Sequence, residues 1–278
     1  MTCLFLALNG MIAGDLDQSL DRHRDLGLTS LDLKTDWSGS LIEHSDLAQV
    51  HRIRAAVVAR TMTVHCLSTS IGNCAVDEDE PALVRRDEDL ARLRGFIPIL
   101  GPRLVRLILP RGDAAVATDR RIVRRYRRWC EDLLGDGVAV VFENEIGQSI
   151  GRDPALTLRF LDALDLRSGV RVIWDVANQW QDGRYPSRAD LDLLAPHLAM
   201  LHLKGGRWDD AGNRRYAWKA HLADSDWPVA DLVRAAVDHG IDTFCLNPPH
   251  GATPPGLHWD WTADLAFLRS TIQDHAHV

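Results

Sequence analysis

Four consecutive apolar runs in this chain finish in polar side chains whose types suit a divalent cation. VAVVFE ends in Glu143, VRVIWD ends in Asp175, AMLHLK carries His202 and Lys204, and TFCLN ends in Asn247. A run nearer the N-terminus, TVHCL, carries His65. Two carboxylates, an imidazole and an amide oxygen converging on one point make a set of hard oxygens with a single nitrogen. Such a set favours Mn2+, Mg2+ or Co2+ and also admits Zn2+. A carbonyl held by that ion is polarised, and the C–H beside it becomes more acidic. Each residue alone also has a plain structural reading. A carboxylate at a strand end can cap the next helix or pair with an arginine, and a histidine in an apolar run can be a satisfied core residue. It is their joint occurrence in four successive runs that favours the ligand set.

These residues act together only if the elements carrying them converge. Short β-rich apolar runs alternate with longer amphipathic ones along the whole chain, which is the pattern of parallel strands joined by crossover helices. The strands read as Cys3–Leu8, Ser30–Lys34, Thr63–Leu67, Leu104–Leu109, Val138–Glu143, Val170–Asp175, Ala199–Lys204 and Thr243–Asn247. Helices read as Asp15–Leu26, stopped by Gly27; Asp46–Ala59, with Ser45 as N-cap; and Glu80–Leu93, with Pro81 in its first turn. Next come an arginine-rich helix from a Thr118 cap to Leu134, one from Asp153-Pro154 to Leu164, and a short one begun by Ser187 and halted before Pro196. Val229–His239 comes after Trp227-Pro228 and is ended by Gly240, and Trp261–Ile272 closes the chain. These starts and stops agree with cap chemistry. Eight β-then-α units make a single (β/α)8 TIM barrel over residues 1–278. An open doubly wound sheet fits less well, because no GxGxxG loop comes after the first strand.

In a (β/α)8 barrel the strand C-termini face the catalytic mouth. Strand side chains alternate, so His202 and Lys204 share a face; Glu143 goes with Val141, Asp175 with Ile173, and Asn247 with Cys245. Two stretches, Gly205–Asp226 and Pro248–His258, read as unstructured rim loops over the substrate. Trp208, Trp218, Trp259 and Trp261 lie in or beside them, with Trp180 after strand six and Trp37 after strand two. They read as loop packing or as a stacking wall for a sugar ring.

The 278 residues, 46% of them hydrophobic, are ample for a buried core, and the formal net charge of −7 argues against nonspecific nucleic-acid binding. Arg120, Arg121, Arg124, Arg125, Arg127 and Arg128 wrap around one helix and read as a solvated face before a phosphate strip. The five cysteines are widely spaced without a CxxC pair, which suits a reducing cytosol and a cytoplasmic protein. The apolar N-terminus lacks a basic leader and reads as a strand, and no apolar run reaches membrane length. No nucleic-acid or membrane partner is expected; a homo- or hetero-oligomer is left open.

At the four strand ends the chain resembles the xylose isomerase-like barrels, the sugar phosphate isomerase/epimerase superfamily. The resemblance rests on VVFENE around Glu143, the D-x-x-N run from Asp175 to Asn178, the His202-Leu203-Lys204 triplet, LNPPH at Leu246–His250, and the stretch Asp224–Asp242. It implies Glu143, Asp175 and His202 as metal ligands. It puts Asn178 where the family often has a substrate-contacting histidine. It sets His65, Lys204 and Arg111 at strand ends that hold substrate hydroxyls or a phosphate. Arg207, Trp208 and His250 complete the expected substrate contacts. The departure is Asn247, where the family has a glutamate; a shifted alignment offers His250 there instead. An amide still offers a carbonyl oxygen to a metal but is no base.

Together these residues imply a metal-dependent isomerase or epimerase acting on a small sugar, keto-sugar or polyol derivative through an enediolate. Glu143 is the candidate base, with Lys204 or His65 returning the proton. The alternatives are a lyase or dehydratase on a keto-sugar or inosose-like substrate, and a non-catalytic barrel subunit lacking the strand-eight carboxylate. A multi-zinc DNA-repair endonuclease is disfavoured by the absence of further ligands and of a basic face.

Overall fold

The structure is a computed structural model; it describes residues 2–9, 12, 14–75, 78–166, 168–208, 216–218, 220–247 and 260–275. Ten strands form among them. They are β1 (Leu4–Ala7), β2 (Ser30–Leu33), β3 (Thr63–Ser68), β4 (Leu104–Ile108), β5 (Ala139–Glu143), β6 (Val170–Asp175), β7 (Leu198–Leu203), β8 (Gly206–Trp208), β9 (Tyr216–Trp218) and β10 (Thr243–Leu246). Eight pair side by side in the order β1-β10-β7-β6-β5-β4-β3-β2, all parallel. A parallel bridge between Leu8 and Asp32 joins the two edges. The buried Asn9 side chain stitches the same seam: its Oδ1 accepts from Lys34 N (2.6 Å) and Thr35 N (3.1 Å). The fold is therefore the TIM barrel expected from the alternation.

Nine helices lie among the described residues: α1 (Leu16–Asp25), α2 (Leu47–Ala59), α3 (Glu80–Leu100), α4 (Arg120–Gly135), α5 (Pro154–Leu164), α6 (Val176–Gln181), α7 (Arg188–Leu194), α8 (Val229–Asp238) and α9 (Trp261–His275). Acidic caps start most of them. Two caps differ from expectation by one residue. Asp46, not Ser45, accepts from Gln49 N at the start of α2, and Asp119, not Thr118, accepts from Arg121 N and Ile122 N at the start of α4. Ser45 instead donates its hydroxyl to Asp36. Helix α3 runs seven residues beyond Leu93, because Phe96, Ile97 and Leu100 keep its apolar stripe against the sheet until Gly101 turns left-handed at φ 63°. Pro98 is accommodated within it.

Two further corrections concern the rim. The stretch Gly205–Asp226 is not structureless, since β8 and β9 form an antiparallel hairpin there. The short α6, which the hydrophobic pattern does not announce, comes directly after β6. The stretch Pro248–His258 lies outside the described residues.

The core has two layers. Apolar side chains of the helices and the outer faces of the strands bury one another around the barrel. Inside, Leu6, Leu8, Cys66, Val141, Ile173, Met200 and Cys245 fill the lumen. Val141, Ile173 and Cys245 are the inward residues that alternation predicts. On α4 the arginines form the solvated face expected of them: Arg125 pairs with Glu80 and Asp87, and Arg128 with Asp87. Among the described residues no helix is long and apolar enough to cross a membrane.

Candidate metal centre and active site

Above the apolar plug the lumen turns polar. Glu143 ends β5, Asp175 ends β6, and His202 is the fifth residue of β7. All three are buried, and one donor atom from each lies within 4.8 Å of the others. Register brings them together, since Asp175 pairs with His202 and Glu143 with Ile173.

Two residues of this cluster are not among those expected from the sequence. Asp32, in the middle of β2, accepts from His202 Nε2 at 3.0 Å and from the Ser68 hydroxyl. Arg106, in the middle of β4, pairs with Glu143 Oε2 and donates Nη2 to Thr69 O at 2.9 Å. A signal for both exists in the sequence: a charged residue inside a strand buried on both faces. It sits mid-strand, whereas the ligand pattern is carried by strand ends.

Each carboxylate has a distinct electrostatic setting. Burial pushes Glu143 up, but Arg106 and His202 outweigh it and hold the carboxyl well below the usual range. Asp32 is likewise lowered: burial opposes ionisation, while His202, Arg106 and Ser68 favour it more strongly. Asp175 is raised by burial and by Glu143, against the pull of Lys204. Burial would lower His202, yet Glu143 and Asp32 hold it well above the ordinary imidazole value.

Asp175 serves two masters. Its Oδ1 accepts from Asn178 N at 3.0 Å and so caps α6, the structural role open to any strand-end aspartate. Its Oδ2 faces Lys204 Nζ at 2.8 Å and Asn247 Nδ2 at 3.3 Å. Asn144 holds the β5 and β6 ends together, accepting from Asp175 N (2.7 Å) and donating to Asp175 O (2.8 Å). Asn178 donates to Asn144 O (2.9 Å) and Glu145 Oε1 (3.3 Å) and accepts from Lys204 Nζ (2.7 Å). Trp227 Nε1 donates to Lys204 O at 3.0 Å, fixing the backbone from which that ammonium projects.

A divalent ion fits the donors present. His202 Nδ1 lies 2.7 Å from Glu143 Oε1 but off the line of a hydrogen bond, and it has no other partner. The buried Asn247 Oδ1 also has none. An imidazole nitrogen and an amide oxygen, both buried and both left without a hydrogen bond, are donor atoms an ion can use. With Nε2 turned to Asp32, His202 has the carboxylate partner that commonly orients a metal-bound imidazole.

No family model and no curated protein matches the sequence. Solved structures do. A xylose isomerase-like TIM barrel protein from Mycobacterium smegmatis, crystallised with magnesium, superposes with a TM-score of 0.73 at 13% identity, covering 99% of this chain and 98% of that one. An L-ribulose 3-epimerase gives 0.75 at 14% identity, covering 100% and 96%. A probable 3-DHS dehydratase of petrobactin synthesis from Bacillus anthracis gives 0.72 at 15% identity, covering 97% and 99%. The fold is that of the xylose isomerase-like TIM barrels. Identities this low carry the fold and not a reaction.

Within that fold the expected site residues part into two groups. Glu143, Asp175, His202, Asn247, Lys204 and Asn178 meet in the mouth. His65 does not join them. It is the third residue of β3, and the charges it feels are first Asp32 and then Arg103 and Asp242, which precede β4 and β10 at the opposite end of the barrel. Arg111 turns its Nη2 to Asn73 O at 3.3 Å. Arg207 is exposed and bound to Asp224. The Trp208 side chain and all of His250 lie outside the described residues, as do Trp259 and the side chain of Trp218. Trp180 is core, edge-on to Tyr185, and Trp37 and Trp261 pack on the core's margins. These three are packing residues.

Proposed function

We propose that this barrel is a divalent-metal-dependent isomerase or epimerase acting on a small sugar, keto-sugar or polyol derivative. The observation that carries the reading is the convergence of Glu143, Asp175 and His202, with the Asn247 amide held against Asp175 and its own oxygen left without a hydrogen bond. Glu143, Asp175 and His202 would hold the ion, with Asn247 Oδ1 as a neutral fourth ligand. Mn2+, Mg2+, Co2+ and Zn2+ all suit such a set. When bound, the ion would polarise the substrate carbonyl and acidify the neighbouring C–H.

The chain's own residues supply the proton chemistry. Arg106 and His202 engage both oxygens of Glu143, which casts it as a ligand held ionised rather than as the base. Glu145, two residues on, presents a second carboxylate on the side of Asn178 and is the group left to take the proton. Lys204 Nζ, between Asp175 and Asn178, is placed to return a proton to the substrate. Asn247 has no basicity, so β10 offers no opposing base and a two-base epimerisation is disfavoured. A dehydration is the second reading, favoured by the ammonium of Lys204, which can protonate a leaving hydroxyl.

The test is exchange in heavy water. The Mn2+-loaded protein is incubated with a panel of hydroxy-ketones and monitored by NMR and mass spectrometry. Deuterium uptake beside the carbonyl with mass otherwise conserved supports isomerisation, and loss of water supports dehydration. Metal uptake that survives Glu143→Gln together with Asp175→Asn would remove the basis of the reading.

A further inference from the structure

The chain contains only three lysines, Lys34, Lys204 and Lys219, every other strongly basic residue being arginine. Two of the three stand in the barrel mouth. Lys204 is committed to Asp175 and Asn178. Lys34 is not committed to anything among the described residues.

Strand geometry sets its position. Lys34 comes immediately after β2, and Asp32 two residues before it points inward to His202. Side chains two apart on a strand share a face, so Lys34 projects into the mouth one step above Asp32. Both its backbone groups are held: N donates to Asn9 Oδ1 at 2.6 Å, and O accepts from Ile42 N at 2.8 Å. The ammonium is largely buried, and it feels the charges of Arg106, Glu143, Glu145 and Lys204. Burial first, and then repulsion from Arg106, pushes its pKa down. The neighbouring cations are already spent, Arg106 on Glu143 and Thr69, Lys204 on Asp175. A partly desolvated ammonium without an anion is costly, and a ligand carboxylate would remove that cost.

We propose that Lys34 anchors an anionic end of the substrate, and that the substrate is a polyhydroxy keto acid whose carboxylate sits on Lys34 Nζ. This rests on the hydroxy-ketone reading of the same site and narrows it. A carboxylate suits the geometry better than a phosphate ester. A phosphate dianion calls for several donors or a guanidinium fork, whereas Lys34 brings one point charge on a flexible stem. Arg111, the guanidinium expected to serve a phosphate, is turned to Asn73.

The test is calorimetric titration of the purified full chain, with and without Mn2+, using 5-keto-D-gluconate, D-fructose and D-fructose 6-phosphate as probes. The keto acid is expected to bind at least about tenfold tighter than the neutral sugar, a gap of about 1.4 kcal/mol. Lys34→Met should lose that gap while fructose binding stays the same, and Lys34→Arg should keep most of it. Circular dichroism checks that both variants fold. Equal binding of acid and neutral sugar overturns the proposal. So does the phosphate ester binding best, an acid preference that persists in Lys34→Met, or no acid binding up to solubility. Mn2+ uptake is read separately in the same samples. A protein that takes no metal yet prefers the acid through Lys34 counts against the metal reading alone. One that takes metal without an acid preference counts against the Lys34 proposal alone.

Discussion

Lys204 Nζ lies 2.8 Å from Asp175 Oδ2, the oxygen that Asp175 has left after capping α6 with its other one. A divalent ion bound as proposed would therefore meet an oxygen already held by an ammonium. Lys204→Met should bind Mn2+ more tightly, by about tenfold or 1.4 kcal/mol, while turnover falls by roughly 10²-fold or more. Calorimetry and a rate assay measure the two effects. Weaker metal binding in the variant would contradict the competition.

Arg106 is buried in the lumen with its guanidinium against Glu143. Removing one partner of a buried pair leaves the other charge uncompensated, at a cost of about 3–5 kcal/mol. Arg106→Met should show that loss in urea unfolding, and adding Glu143→Gln should restore part of it. Single and double variants that are equally unstable would mean the pair is not coupled.

The pH dependence of stability derives from the buried histidine. His202 is held above its ordinary pKa, so the folded state binds its proton more tightly. Its contribution is full below about pH 6.5, the unfolded imidazole value, and is lost as pH rises through the folded value. Asp32 has the opposite sign: held low, it contributes above about pH 4 and loses that contribution as pH falls through its folded value. In metal-free protein, the stability gap between wild type and His202→Gln should narrow as pH rises from about 6 to 9. A gap that is flat or widens over that range would refute the assignment.

Glu145→Gln separates ligand from base. Because the proposed metal ligands are untouched, Mn2+ affinity should stay within about twofold of wild type, while turnover falls by about 10²–10⁴-fold. Glu143→Gln should lose both. If the two variants behave alike, Glu145 does not have a separate role.

Gly205 stands next to Lys204 where the chain passes tightly over the segment before α8. A Cβ there would run into Ala220 O and lie 2.7 Å from His221 C, backbone atoms with little room to yield. Gly205→Ala should cost about 1–3 kcal/mol by overpacking and should lower turnover by displacing Lys204. Gly183→Ala, with open space around its Cβ but a φ of 89°, is the comparison. It should be strained locally and leave the rate unchanged.

The barrel was legible because its strands are buried on both faces and its helices on one, and that difference is written in hydrophobic period. All eight barrel strands stand within two residues of where the sequence puts them. The polar trio in the mouth was legible for a related reason, since a Glu or Asp at the end of an apolar run is conspicuous. Asp32 and Arg106 were equally conspicuous by composition, but their meaning is relational. Asp32 lies 170 residues from His202, and Arg106 lies 37 from Glu143. Only strand order and register decide that they touch.

His65 shows the converse. Its type and its run resembled those of His202, but while both feel Asp32, His65 has Arg103 and Asp242 as its other charges and His202 has Glu143. By itself the sequence determined the strands, most of the helices and the fold, because each depends on local pattern. The tertiary structure decided which charges neutralise one another and which are left over. Asp175 spends one oxygen on a cap and the other on Lys204, Glu143 is bound by Arg106, and Lys34 is left without a partner among the described residues. Charge pairing depends on distances through the lumen, and those exist only once the barrel has closed.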